Sequence, residues 1–141
     1  MLRTIELTIE QLDKSFETTY ENAVAVKERF WAEAKESGKV YFRGVAISRR
    51  GNSVDIYWLR IAYKRHELGP QEKPFISRIR KGRGSFPRFS RAQMGTMEPW
   101  LEDIFRRYED EFEILRQILK ENRTVRRSLE RQANLAKKFE G

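Results

Sequence analysis

Apolar residues recur at Ile9, Leu12, Phe16, Tyr20, Ala23, Phe30 and Ala34, with Lys27 interrupting the series. That spacing is close to 3.6 residues and places them on one helical face. Thr8 followed by Gln11 matches a capping box, and Gly38 suits a left-handed stop. The pattern therefore predicts a helix over 8–37 that covers a sheet.

The period then changes. Val40 to Ser48 and Ser53 to Lys64 are rich in β-branched and aromatic residues, with Arg49-Arg-Gly-Asn52 between them as a hairpin connection. After a second connection, His66 to Glu72, a third strand is expected over Phe75 to Lys81. Three such strands form an antiparallel meander. The middle strand is apolar on both faces: Val54, Ile56, Trp58 and Ala62 on one, Tyr57, Leu59, Ile61 and Tyr63 on the other. Both faces should therefore meet something, with helices on one side and a partner or second copy on the other. In the third strand Phe75, Ser77, Ile79 and Lys81 alternate with Ile76, Arg78 and Arg80.

Residues 82–97 read as a loop, with a helical turn in Ser90-Arg-Ala-Gln-Met94. Thr96 is then expected to cap a long helix carrying Pro99 in its first turn. Four-three spacing runs through Leu101, Phe105, Tyr108, Phe112, Leu115, Leu119 and Asn122, continuing to Ala136. This is a coiled-coil-like seam, and Asn122 is the kind of polar insertion that fixes register or oligomer state. Tyr108, Phe112, Leu115, Leu119 and Asn122 are its expected oligomer-forming part. A break near Glu121-Asn-Arg123 would instead give two antiparallel helices. Acidic positions such as Glu109 and Glu113 read as outward-facing. The fold class is α+β: a helix, a three-stranded antiparallel meander, a basic loop and a long helix or helical hairpin. Residues 1–97 form the helix-plus-meander region. Residues 98–141 form the helical region, either in the same domain or as a dimerisation appendage.

Charge sharpens this outline. The 141 residues carry a net +8, unevenly spread. Residues 38–91 hold 14 basic and 3 acidic groups, and residues 116–141 hold 8 and 3, whereas the other two blocks are net acidic. No acid lies between Glu72 and Glu98, against seven bases: Lys73, Arg78, Arg80, Lys81, Arg83, Arg88 and Arg91. Arginine offers a fork that matches phosphate, and Gly82 and Gly84 allow close backbone approach. Phe86 and Phe89 offer faces for stacking. With Arg49 and Arg50 of the hairpin, these residues form the candidate nucleic-acid-binding set. Arg116, Lys120, Arg123 and Arg127 follow at four-three-four spacing, a secondary basic stripe suited to tracking phosphates.

Other chemistries fit less well. The chain has no cysteine, so disulfides, thiolate metal sites and cysteine nucleophiles are excluded. His66-Glu67 begins a zinc-protease motif but the second histidine is absent, so His66 reads as a surface turn residue. Lys81-Gly-Arg-Gly-Ser85 lacks the rest of either nucleotide-loop fingerprint. Asp55, Glu67, Glu72 and Lys73 are the weak candidates for a metal-dependent nuclease, the second alternative to DNA binding. The first alternative is a helical protein–protein adaptor. No catalytic residue, metal or cofactor is expected. No secretory signal or membrane span is visible, which points to the cytoplasm.

Three segments carry a resemblance. They are Val54-Asp-Ile-Tyr-Trp-Leu-Arg60, then Phe75-Ile-Ser-Arg-Ile-Arg-Lys-Gly-Arg-Gly-Ser-Phe-Pro87, then the Trp- and Glu-rich helix from Pro99 to Arg116. Together the chain resembles MobI-type conjugative transfer proteins of integrative and conjugative elements, over roughly residues 20–130. The resemblance implies an accessory mobilisation factor that recognises the origin of transfer and helps assemble the relaxosome. Its implied partners are DNA, taken as double-stranded, and a relaxase or other transfer protein. A homodimer is the expected state.

Overall fold

The computed structural model describes residues 1–63, 74–80 and 86–141. In chain order the elements are α1 (Leu2–Ser37), β1 (Arg43–Arg50), β2 (Ser53–Ala62), β3 (Phe75–Arg78), α2 (Arg91–Met94) and α3 (Pro99–Glu140). The fold is α+β. The strands form one antiparallel sheet in the order β1-β2-β3.

The helix α1 begins at Leu2, not at Thr8. The Thr8 hydroxyl donates to the Thr4 carbonyl 2.9 Å away, a bond made inside a helix rather than at its cap. Gly38 ends the helix in the left-handed region, at φ 67°. The hairpin is tighter than its four-residue reading. Arg49 and Arg50 pair with Val54 and Ser53, leaving Gly51-Asn52 as the turn. Gly51 supplies the positive φ of 58° that the turn needs. β1 accordingly starts three residues later and ends two later than its pattern suggested.

β3 is shorter than expected. Ile79 N–H still bonds Trp58 O at 2.9 Å, but the next acceptor along that edge of β2, Ile56 O, is taken by Arg116 Nε at 3.0 Å. The helix thus bonds the same edge of β2 as β3 does.

The short helix α2 carries a complete capping box between Ser90 and Gln93. α3 is one uninterrupted helix, so the break near Asn122 does not occur. Its N-cap is Glu98, not Thr96. Pro99 forces the residue before it out of helical geometry, and Glu98 is extended at φ −63°, ψ 148°. The Thr96 carbonyl instead accepts from buried Arg43, whose Nε also reaches Met94 O at 2.9 Å. This arginine ties the entry of α3 to β1.

The two long helices run antiparallel, as their contacts fix. Asn122 Nδ2 donates to Leu12 O at 3.2 Å and Arg126 Nε to Asp13 at 2.7 Å. Arg107 Nη2 donates to Glu33 at 2.6 Å, and Arg29 pairs with Glu111. The predicted oligomer seam therefore faces α1 of the same chain: Tyr108, Phe112, Leu119 and Asn122 are buried, and Leu115 is half-buried against the core.

Beneath this pair the sheet contributes Val45, Ile56 and Trp58 to an aromatic centre. Phe30 meets Trp31, Tyr41, Trp58 and Tyr108 edge-on at 5.3–5.8 Å. Such pairs add to the area they bury.

Trp31 also reaches around the sheet edge, its Nε1 donating to Val45 O at 2.9 Å. Its ring lies where a side chain on Gly44 would be: a Cβ there would meet Trp31 at 2.5–2.6 Å. Gly44→Ala should therefore cost about 1–3 kcal/mol as overpacking, read from the denaturant midpoint. An unchanged midpoint would show that Trp31 moves aside freely.

Tyr108 Oη donates to Glu33 at 2.6 Å. Burial, and next the bond to Glu33, push its phenol up to about 12. An unfolded tyrosine ionises near 10. Above that pH the folded chain keeps a proton that the unfolded chain releases, so stability falls as pH rises from about 10 to 12. Urea midpoints measured across that range should fall more steeply for the wild type than for Tyr108→Phe. Parallel slopes would mean that Tyr108 titrates alike in both states.

Candidate nucleic-acid interface

The site begins with a buried knot. Glu109 is fully buried, where the sequence placed it outward. Its carboxylate accepts from Trp58 Nε1 at 2.9 Å, Phe89 N–H at 2.6 Å and Arg116 Nη1 at 2.7 Å. Arg116 Nη1 also donates to Pro87 O at 2.9 Å. Three separated stretches are thereby joined: the middle strand, the exit of the basic loop and the centre of α3. A buried charge requires partners of this kind. Glu109 and Arg116 share a face with Phe105 and Phe112 at four-three-four spacing. The signal was thus present in the helical pattern, but charge obscured it.

Among the predicted site residues, several serve the fold. Phe89 is 1 % exposed and Arg116 lies against it, with Cζ 4.9 Å from the ring centroid. Phe89 therefore presents no face for bases, and Arg116 is held mainly by bonds within the fold. Arg88 Nη1 bonds Asp110 at 2.7 Å and Glu113 at 2.8 Å. Arg49 pairs with Glu17 and lies over the Phe16 and Tyr20 rings. Its bond holds the Glu17 carboxyl below the usual carboxylate range. Arg91 is exposed, yet Nε sits 3.0 Å from Glu102.

The others face outward. Arg78 projects from the face of the sheet away from the helices, stacked 3.9 Å from the Tyr57 centroid and paired with Asp55. Arg50 and Arg80 are exposed, with no ion pair among the described residues. Phe42 and Tyr63 stand edge-on to each other at 5.9 Å, both exposed. The outer face of β2 is thus aromatic and apolar with arginines beside it. Tyr57, which the strand pattern marked only as apolar, supports Arg78.

The two basic segments predicted separately come together here. Lys120 Nζ lies 4.7 Å from the centroid of Phe86, at the end of the basic loop. Lys120, Arg123 and Phe86 line one pocket with Asn52 and Ser53 of the hairpin and with Arg116. Arg127 follows on α3, exposed. Lys81, Gly82, Arg83 and Gly84, the middle of the basic segment, lie outside the described residues, as do His66, Glu67, Glu72 and Lys73. Asp55, the remaining member of the nuclease set, is paired with Arg78. Among the described residues no three His, Cys, Asp or Glu gather to hold a metal ion. No helix there is long and apolar enough to cross a membrane.

Fold and site together define an antiparallel helix pair backed by a small sheet, with a cationic corner where the hairpin and the basic loop meet the long helix. The family model described as "MobI protein" matches residues 19–130, and the chain belongs to that family. Membership gives it a role related to conjugative mobilisation. No curated protein and no solved structure matches the chain.

Proposed function

We propose that this chain is a DNA-binding accessory factor of conjugative transfer that recognises the origin of transfer and helps the relaxosome assemble around the nicking enzyme. One juxtaposition carries the reading: Phe86, at the end of the basic loop, lies against Lys120, joining that loop to the basic stripe of α3. A polyanion laid across this corner meets Arg50, Arg78 and Arg80 from the sheet side and Lys120, Arg123 and Arg127 from the helix side. Lys81, Gly82, Arg83 and Gly84 belong to the same set on sequence grounds. Phosphate contacts of this kind position a protein on duplex DNA and make binding steeply salt-dependent. The protein itself acts without catalysis.

The test is a binding titration of origin-of-transfer duplex and a scrambled duplex at two salt concentrations. Tighter binding to the origin duplex, weakening with salt for both, is expected. Equal affinities would remove origin recognition, and absence of binding to either would remove the whole reading.

A second reading rests on α3. Ile114, Ile118 and Val125 are exposed, and at 100° per residue they lie opposite Phe112, away from the sheet. An apolar stripe on a long helix suits an antiparallel or parallel partner helix. A second copy of this chain is its proposed occupant, with the transfer proteins met through the assembled dimer. Light scattering should give a dimer for the wild type and a monomer for Ile118→Glu; a wild-type monomer at high concentration would reject this.

A further inference from the structure

The pocket between the start of β2 and α3 has a volume of about 150 Å³ and is lined by Asn52, Ser53, Phe86, Arg116, Lys120 and Arg123, among others. That is too small for a nucleoside-sized ligand, whose sites run to about 300 Å³ and more. It is several times the roughly 30 Å³ that one liquid water occupies. The scale is that of a polyatomic ion.

Its inner wall is unusual. The Arg116 side chain is 4 % exposed. Nε is held by Ile56 O and Nη1 by Pro87 O and Glu109, but Nη2 is buried with no hydrogen-bond partner among the described residues. A buried donor on a charged group is costly to leave unmade. With the other two nitrogens fixed by the fold, Nη2 is the guanidinium nitrogen whose bonding capacity the described residues leave unused.

Charge points the same way. Glu109 balances Arg116, and Arg78 balances Asp55, the one carboxylate in the lining. Lys120 and Arg123 have no carboxylate partner among the described residues, so the pocket holds two uncompensated positive charges. The Ser53 hydroxyl and Asn52 amide add neutral donors. An ion-sized space lined by a buried arginine, a lysine, a second arginine and a serine offers the donor types that suit a phosphoryl group.

We infer that this pocket binds a single phosphoryl group, and that a backbone phosphate of bound duplex DNA fills it. The occupant's source rests on the DNA-binding reading above; the pocket's chemistry does not. The exposed cations of the sheet and helix then meet neighbouring phosphates, while this one is held in register at the corner.

Two arms test it. In the first, inorganic phosphate is titrated against chloride at matched ionic strength, and the arginine side-chain resonances are followed by NMR. A saturable shift of the Arg116 guanidinium, lost in Lys120→Gln and Arg123→Gln, is expected; no shift beyond the chloride control overturns the pocket. In the second, duplex DNA affinity is measured against salt. Each substitution should weaken binding up to about tenfold near 0.1 M salt and lower the salt exponent by about 0.9. Arg106→Gln, at the other end of α3, should change neither. DNA binding with unchanged exponents in both pocket variants overturns the assignment to a backbone phosphate while leaving DNA binding intact. A phosphate response without any DNA binding overturns the DNA reading and leaves the anion pocket standing. Both pocket side chains are solvent-exposed, so unchanged thermal midpoints will confirm that the variants are folded.

Discussion

Glu109→Gln should lower unfolding stability by about 3–5 kcal/mol, because it strands the Arg116 guanidinium in the interior without its counter-charge. Typical domains have only about 5–15 kcal/mol to lose, so the variant should be close to unfolding. The same carboxylate also holds Trp58 and the Phe89 amide, so the damage spreads to the sheet and to the loop exit. Replacing both charges, as Glu109→Leu with Arg116→Met, should recover much of the loss, since an apolar pair of similar volume removes the stranded charge. Equilibrium denaturation of Glu109→Gln, of the single variants Glu109→Leu and Arg116→Met, and of the double variant decides this. A loss below about 1 kcal/mol for Glu109→Gln would show that the pair is dispensable. If the double variant is as unstable as the singles, the hydrogen bonds to Trp58 and Phe89 matter more than the charge balance.

Replacing Arg80, Lys81 and Arg83 together with alanine should weaken duplex DNA binding on the order of a hundredfold near 0.1 M salt. The salt exponent should drop by between two and three, at about 0.9 for each phosphate contact removed. Arg80 is exposed with no ion pair among the described residues, whereas Arg88 and Arg116 hold the fold together. The folded state should therefore survive, and circular dichroism will show it. The salt exponent is the informative readout: a fall in affinity at unchanged exponent would mean that the substitutions disturb the loop without removing phosphate contacts. No change in either would take the segment out of the interface and leave the contact to the α3 stripe with Arg50 and Arg78.

The fold was largely legible because its elements follow strong periods. The four-three series from Leu101 to Asn122 marked the long helix, and the two-faced apolar pattern of β2 marked a central strand. The partner of that helix was less legible. A heptad-like seam states that an apolar face needs covering, not whether the cover comes from the same chain. Here α1 supplies it, and Asn122 finds its acceptor on Leu12. Helix and strand ends were misplaced where tertiary contacts decided them. Pro99 moved the cap of α3 to Glu98. In the site, sequence found the cations but could not say which were spent. Arg49 and Arg88 have acidic partners 32 and 22–25 residues away, and pattern alone does not reveal such pairings. Glu109 was the largest omission. A lone acid among core positions reads as a solvated one, although Arg116 stands two turns further on the same face.

The absence of a break in α3 gives the helix the character of a ruler. From Lys120 to Arg127 its axis advances roughly 10 Å at 1.5 Å per residue. Successive phosphates along one strand are about 3.4 Å apart in axial rise. The stripe can thus register against only three or so consecutive phosphates before a straight rod and a twisting duplex part company. On the DNA-binding reading, each copy should leave a narrow footprint confined to one side of the double helix, and wider protection would have to come from additional copies set down at helical-repeat intervals.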